Sequence, residues 1–176
     1  GVSFGGMVAQ ELVLRHPHRV ERLILACTSP GGAGGASFPF HEIQHLEGEA
    51  RARFMLGVSD TRWDAAWQAA NPERAQKFVD ATPGDPYAGE PGRAMGARRQ
   101  LEARALHDTW DRLPQIACPV LIAAGRYDGV ALPETQERML GRIPRARLEW
   151  FEGGHMFMIQ DRTAWPKMIA FLKGED

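Results

Sequence analysis

Residues 1–29 run GVSFGGMVAQELVLRHPHRVERLILACTS, and this stretch decides the fold. Apolar residues at 7, 8, 9, 12, 13 and 14, followed by Pro17, predict a helix over Gly5–His16 that is buried on most of its surface and ended by His16-Pro17. The continuous apolar run LILAC within residues 20–29 predicts a strand buried on both faces, as in a parallel sheet. Ahead of both stands Gly1-Val2-Ser3-Phe4-Gly5, a G-x-S-x-G pentapeptide at the mouth of the helix. In that context a sharp strand-to-helix turn strains the serine backbone, and small residues two before and two after it avoid collisions. The helix N-terminus then faces the serine, so its dipole and the Phe4 amide favour an oxyanion at that point.

Outward from there, Pro30 and the GGAGG of residues 31–35 break the strand into a loop. Residues 118–124 (CPVLIAA) read as a second buried strand stopped by Gly125. Residues 147–151 (RLEWF) read as a third, stopped by Gly153-Gly154. A helix from about Pro133 to Arg142 lies between them, and a closing helix runs from about Arg162 to Lys173. Helix–strand at one end and strand–helix–strand–helix at the other imply an α/β fold with a parallel sheet. The middle is helical and charged, holds Trp63, Trp67 and Trp110, and contains no convincing strand. The expected organisation is one domain: core over 1–35, a helical lid over 36–112 inserted between strands at the sheet's carboxyl edge, and core again over 113–176.

Two further loops carry chemistry. Gly125-Arg126-Tyr127-Asp128 follows the second strand, and Glu152-Gly153-Gly154-His155 follows the third. Carboxyl ends of neighbouring parallel strands converge, so an Asp past one and a His past the next can meet at Ser3. His155 then suits a general base that takes the Ser3 proton, and Asp128 suits the group that fixes the imidazole tautomer. Taken singly, Asp128 also suits a helix cap and His155 a loop histidine held by backbone. The order Ser, Asp, His, each at a strand end, favours catalysis by all three together.

The segments GVSFGGMVAQELVLRHPHRVERLILACTSPGG, PVLIAAGRYDGVALPE and FEGGHMFMIQDRTAWPKMIAFL resemble the latter part of α/β-hydrolase fold enzymes, and within them the 3-oxoadipate enol-lactonase and small carboxylesterase group. The resemblance implies a serine hydrolase of small carboxylic esters or lactones, working through an acyl-enzyme on Ser3 without a cofactor. A serine at this turn sets the chain apart from the dehalogenase and epoxide hydrolase branches, which use aspartate there. Members of the family carry several strands before this turn and a His-Gly loop that supplies a second oxyanion amide. By that pattern the chain is expected to be an incomplete α/β-hydrolase sheet with Phe4 as its one oxyanion donor, and a missing donor costs on the order of 10²–10³ in rate. The LILAC strand is expected to expose an apolar edge that invites self-association. A catalytically inactive piece, serving only in assembly or interaction, is the second reading.

A rival motif lies at His41-Glu42-Ile43-Gln44-His45, an H-E-x-x-H sequence with Gly48 at metzincin spacing. On a helix, His41 and His45 share a face and suit zinc, with Glu42 as base. The position expected to hold the third ligand is Arg51, which cannot ligate, so no metal is expected. Trp110, Met156 and Phe157 are the candidate substrate-pocket residues, with Phe38, Phe40 and Met158 as further apolar wall or core. His107 beside Asp108 reads as an exposed helix pair.

Charge narrows the partners. The chain has 176 residues with 21 basic against 22 acidic, a net charge of −1, which offers nothing to nucleic acid or an anionic membrane. No apolar run is long enough to span a bilayer and no charged-then-apolar leader opens the chain, so a cytoplasmic protein is expected. In that compartment Cys27 and Cys118 are expected as reduced thiols rather than a disulfide.

Overall fold

The computed structural model describes residues 1–82 and 84–175; position 83, inside the middle segment, lies outside them. The order is α1 (Phe4–Arg15), β1 (Leu23–Ala26), α2 (Gly48–Ser59), α3 (Ala65–Ala70), α4 (Pro72–Ala81), α5 (Arg93–Ala105), β2 (Val120–Gly125), α6 (Pro133–Leu140), β3 (Ala146–Phe151), α7 (Phe157–Gln160) and α8 (Ala164–Lys173). The strands form one parallel sheet in the order β1-β2-β3, with Leu23 opposite Val120 and Val120 opposite Ala146. Every residue of the central β2 is buried, as an apolar strand covered on both faces must be. The period of two sends Leu23, Leu25, Val120, Ile122 and Leu148 to one face, where Val13 of α1 and Met139 of α6 meet them. Ile24, Ala26, Leu121, Ala123 and Phe151 go to the other face, against Phe157, Met168 and Phe171. Leu25 and Ile122 are fully buried, and each such side chain stabilises the fold by roughly 1.5–3 kcal/mol.

The middle segment is helical, as its sequence predicts. Its two ends are tied where the chain leaves and rejoins the sheet: Gly31 bridges Asp108, and the Thr109 amide donates to the Pro30 carbonyl at 2.8 Å. Gln10 fastens this junction to α1. Its Nε2 donates to the Ser29 carbonyl, and its Oε1 accepts from the Thr109 hydroxyl.

Three expectations are corrected. α1 is buried along one stripe only, through Gly6, Met7, Gln10 and Val13, while Val8 and Leu12 are exposed. Those two are four apart and form a second apolar stripe that no described element covers. The closing helix starts at Ala164; residues 157–160 form a separate helical turn, with Phe157 stacked on Phe151 at 4.9 Å. The edge of β1 is not bare. Residues 1–3 run beside it in parallel, the Ala26 amide donating to the Gly1 carbonyl and the Ser3 amide to the Ala26 carbonyl at 2.9 and 2.8 Å.

Candidate active site

Ser3 sits between that short extended segment and α1 with φ 51° and ψ −120°, a left-handed conformation that non-glycine residues rarely adopt. The turn closes tightly around it. A side chain at Gly1 would stand 2.3 Å from the Gly5 carbonyl oxygen, and one at Gly6 would stand 2.5 Å from Thr28. Space around Gly5 is open, so the second small residue the turn requires is Gly6, not Gly5. The Thr28 hydroxyl donates to the Ser3 carbonyl at 2.8 Å and pins the turn to the end of β1. Phe4 is the first residue of α1, and its N–H is among those a helix leaves without an internal partner.

The acid and His loops continue the sheet's ladder past the strands. The amides of Arg126 and Tyr127 donate to the carbonyls of Phe151 and Gly153. Gly125 permits this approach, since a Cβ there would lie 2.1 Å from the Gly154 carbonyl oxygen. Asp128 is 1% exposed and shapes its own loop, its Oδ1 accepting from the amides of Val130 and Ala131 at 2.7 and 2.9 Å. It does not cap α6, which begins at Pro133. His155 Nδ1 lies 2.9 Å from Asp128 Oδ2, and His155 Nε2 lies 2.9 Å from Ser3 Oγ. Ser3, Asp128 and His155, separated by up to 152 positions, are therefore brought into one hydrogen-bonded chain.

The end of α2 docks on both loops. Backbone carbonyls of Val58 and Ser59 accept from the amides of Gly129 and His155, the latter at 2.6 Å, and the Thr61 amide donates to the Tyr127 carbonyl. Asp60, fully buried, takes a bidentate bond from Arg62 and a third from Gln160 Nε2 at 3.0 Å. Gln160 Oε1 in turn accepts from the Gly154 amide at 2.8 Å. Sequence reasoning missed Asp60, Arg62 and Gln160. Asp60 and Arg62, two apart after a helix, look like any polar turn.

Cys27 was read only as a thiol. With φ 41° it directly follows β1, and its Sγ, an Asp128 oxygen and a His155 nitrogen lie within 4.8 Å of one another. Among the described residues this is the one cluster of three metal-ligating groups. Its chemistry suits a triad better than a metal. Burial, with Asp128 beside it, pushes the Cys27 thiol up to about 12, and the carboxylate and imidazole already bond each other.

The other candidates land elsewhere. Phe157 is fully buried in the core. Trp110 packs against the core on the α1 face, beneath the Arg142 guanidinium at 4.5 Å. Neither is among the residues that wall the two cavities described next. Met156 does line one: a groove of about 840 Å³ between α2, α4 and the His155 loop, walled also by Met55, Trp63, Phe78 and Ile159. A smaller cavity of about 140 Å³ lies beside Met7, with Phe38 and Phe40 in its wall. The H-E-x-x-H segment is not an α-helix. Phe40–Ile43 is a 3-10 turn and His45 falls beyond it, so the exposed His41 and His45 share no helical face. Arg51 donates to the Ile43 carbonyl at 2.9 Å and secures this turn. His107 is not part of an exposed helix pair: α5 ends at Ala105, and the His107 Nε2 is buried.

Comparison with known proteins is consistent with this geometry. The family model described as serine aminopeptidase S33 matches residues 1–161. A poly(3-hydroxyalkanoate) depolymerase of Ectopseudomonas oleovorans is 28% identical over 99% of this chain and 60% of its own length. A 3-oxoadipate enol-lactonase 2 of Acinetobacter baylyi is 26% identical over 94% of this chain and 59% of its own. The crystal structure of an enol-lactonase from Burkholderia xenovorans superposes with a TM-score of 0.71 at 24% identity, over 98% of this chain and 64% of that one. The chain thus spans about three fifths of the length of these relatives.

Proposed function

The chain belongs to the serine aminopeptidase S33 family of α/β hydrolases, and from that membership we propose that it hydrolyses small carboxylic esters or lactones through an acyl-enzyme on Ser3. The observation that carries the reading is the unbroken chain Asp128 Oδ2, His155 Nδ1, His155 Nε2, Ser3 Oγ, with both links at 2.9 Å. His155 accepts the Ser3 proton as Oγ attacks the carbonyl carbon, and returns it to the departing alkoxide. Asp128 holds the proton on Nδ1, so that Nε2 faces the serine as the base, and it stabilises the imidazolium that forms. The Phe4 amide and the N-terminus of α1 meet the negative charge on the carbonyl oxygen. Water, activated in turn by His155, then releases the acid and restores Ser3. The helices between β1 and β2 act as a lid, and the Met156 groove beneath them takes the apolar part of the substrate.

Hydrolysis of p-nitrophenyl acetate by the purified chain, beside a Ser3→Ala variant, tests the proposal. Turnover that the variant loses by at least a hundredfold supports it. Equal rates in the two proteins would leave the chain a non-catalytic relative that serves assembly.

A further inference from the structure

Residues 58–62, where the chain leaves α2, form a strap across the acid and His loops. The strap bonds the backbone on either side of Asp128. The Gly129 amide donates to the Val58 carbonyl at 3.1 Å, and the Thr61 amide donates to the Tyr127 carbonyl at 2.9 Å. It also holds the base itself, because the His155 amide donates to the Ser59 carbonyl. Contact is close enough to dictate the sequence there. A Cβ at Gly154 would collide with the Ser59 carbonyl oxygen and stand 2.7 Å from Asp60 Cα, so only glycine before His155 lets the strap seat.

Asp60, in the middle of the strap, is fully buried, while Thr61 and Arg62 beside it are exposed. Oδ1 accepts from the Arg62 amide and Nε at 3.1 and 2.9 Å, and Oδ2 accepts from Arg62 Nη2 and Gln160 Nε2 at 2.7 and 3.0 Å. These donors fill the acceptor capacity of a carboxylate. Arg62 carries the tie to the acid loop, its guanidinium 4.1 Å from the Tyr127 ring centroid, and approaches Glu152 at 3.7 Å. Gln160 carries it to the His loop, accepting from the Gly154 amide at 2.8 Å. One buried carboxylate is thus linked to the neighbours of both Asp128 and His155. As a stabiliser such a pair is weak, since well-packed apolar residues serve as well. What the charge adds is direction: the bidentate fork and the Gln160 bond admit one placement of the strap.

We infer that Asp60 is a positioning residue: through Arg62 and Gln160 it sets the strap that fixes the Asp128 and His155 loops against Ser3. The inference rests on the hydrolase reading above. A displacement of about 1 Å at a reacting group costs on the order of 10² in rate, and the strap is the part of the segment between β1 and β2 that bonds both loops.

The test is the rate at which a fluorophosphonate labels Ser3 in the wild-type chain, in Asp60→Ala, Asp60→Asn and Gln160→Ala, and in the Asp60→Ala, Gln160→Ala double variant, with circular dichroism to verify each fold. Asp60→Ala should slow labelling at least about tenfold and lower kcat for p-nitrophenyl acetate with it, while KM changes by less than about twofold. Asp60→Asn, which keeps an acceptor for Gln160 but no charge for Arg62, should lie between. Both residues act through one chain of bonds, so the double variant should be no slower than the slower single. In Asp60→Ala the far-downfield Nδ1–H resonance of His155 should also move, which a general loss of stability would not cause. If Asp60→Ala does not fold, Arg62→Ala, at a partly exposed side chain, should show the same slowed labelling and moved resonance. Wild-type labelling rates in the variants, an effect confined to KM, multiplied losses in the double variant, or an unmoved His155 resonance would overturn the inference. A wild-type chain that takes no label on Ser3 would remove the hydrolase reading instead, and the His155 resonance would then decide the role of Asp60 by itself.

Discussion

Ser3 is constrained from its backbone and from its side chain. The φ of 51° is maintained by Thr28 and by the close approach of Gly1 to Gly5, and Oγ is held at 2.9 Å by His155. Asp128 contributes by holding the imidazole and the loop at once, because Oδ1 is occupied by two amides and Oδ2 by His155. Asp128→Asn keeps the shape but turns an N–H or a weaker acceptor toward Nδ1, so kcat/KM for p-nitrophenyl acetate should fall by about 10⁴. A loss under tenfold would remove Asp128 from the mechanism. Cys27 makes a contrasting prediction. A thiol raised to about 12 stays protonated and inert at pH 8. Iodoacetamide followed by peptide mass analysis should therefore modify the partly exposed Cys118 first, and faster labelling of Cys27 would contradict its assigned environment. At this scale the sequence was readable where a residue type, a glycine and a strand end coincide, as at Ser3, Asp128 and His155. Gly6 was misjudged because its need arises from Thr28, which only the folded sheet brings near.

Between elements, the end of α2 acts as a clamp on the acid and His loops. Gln160 is the shared member, bonding both Asp60 and the Gly154 amide. Gln160→Ala should loosen His155 without touching substrate, lowering kcat by up to about 10² with little change in KM. A matching rise in KM would instead place Gln160 in substrate binding. A second tie joins α1 to the 3-10 turn at Trp110–Gln115. Hydrogen bonding from Arg112, with Arg15 adding to it, holds the Glu11 carboxyl at about 2. Because the folded value lies below the unfolded one of about 4.3, the contribution to stability is full above pH 4.3 and lost as pH falls toward 2. Both partners are partly solvent-exposed, so the tie is worth about 1 kcal/mol or less. Glu11→Gln should lower the urea midpoint at pH 7 by a corresponding amount and leave it unchanged near pH 2; an equal deficit at both pH values would contradict the charge account. The strands and α6 were legible from apolar runs and glycine stops because each is buried against the sheet. α7 was not, since four residues are too few to show a period. The clamp was not, since it depends on where a long insertion returns.

As a whole, the molecule is a three-stranded parallel sheet covered on both faces, with the hydrogen-bonded chain of Ser3, His155 and Asp128 at the carboxyl edge. No described helix is long and apolar enough to cross a membrane. Two helices each carry an exposed apolar group on the outer side, Val8 and Leu12 on α1 and Trp165, Ile169 and Leu172 on α8. Stripes of this kind mark association surfaces. Sedimentation velocity should therefore show concentration-dependent self-association that Leu12→Lys and Ile169→Lys reduce, whereas a concentration-independent monomer would contradict it. The sheet edge, where sequence reasoning placed this tendency, is a weaker candidate because residues 1–3 already bond it. The proposed chemistry makes Ser3 a nucleophile driven by His155. The most direct measurement is labelling with a fluorophosphonate, followed by mass mapping of the modified peptide. One adduct on Ser3, absent in Ser3→Ala and slowed at least a hundredfold in His155→Gln, is the expected result. Labelling at another residue, or at an equal rate in the His155 variant, would contradict it.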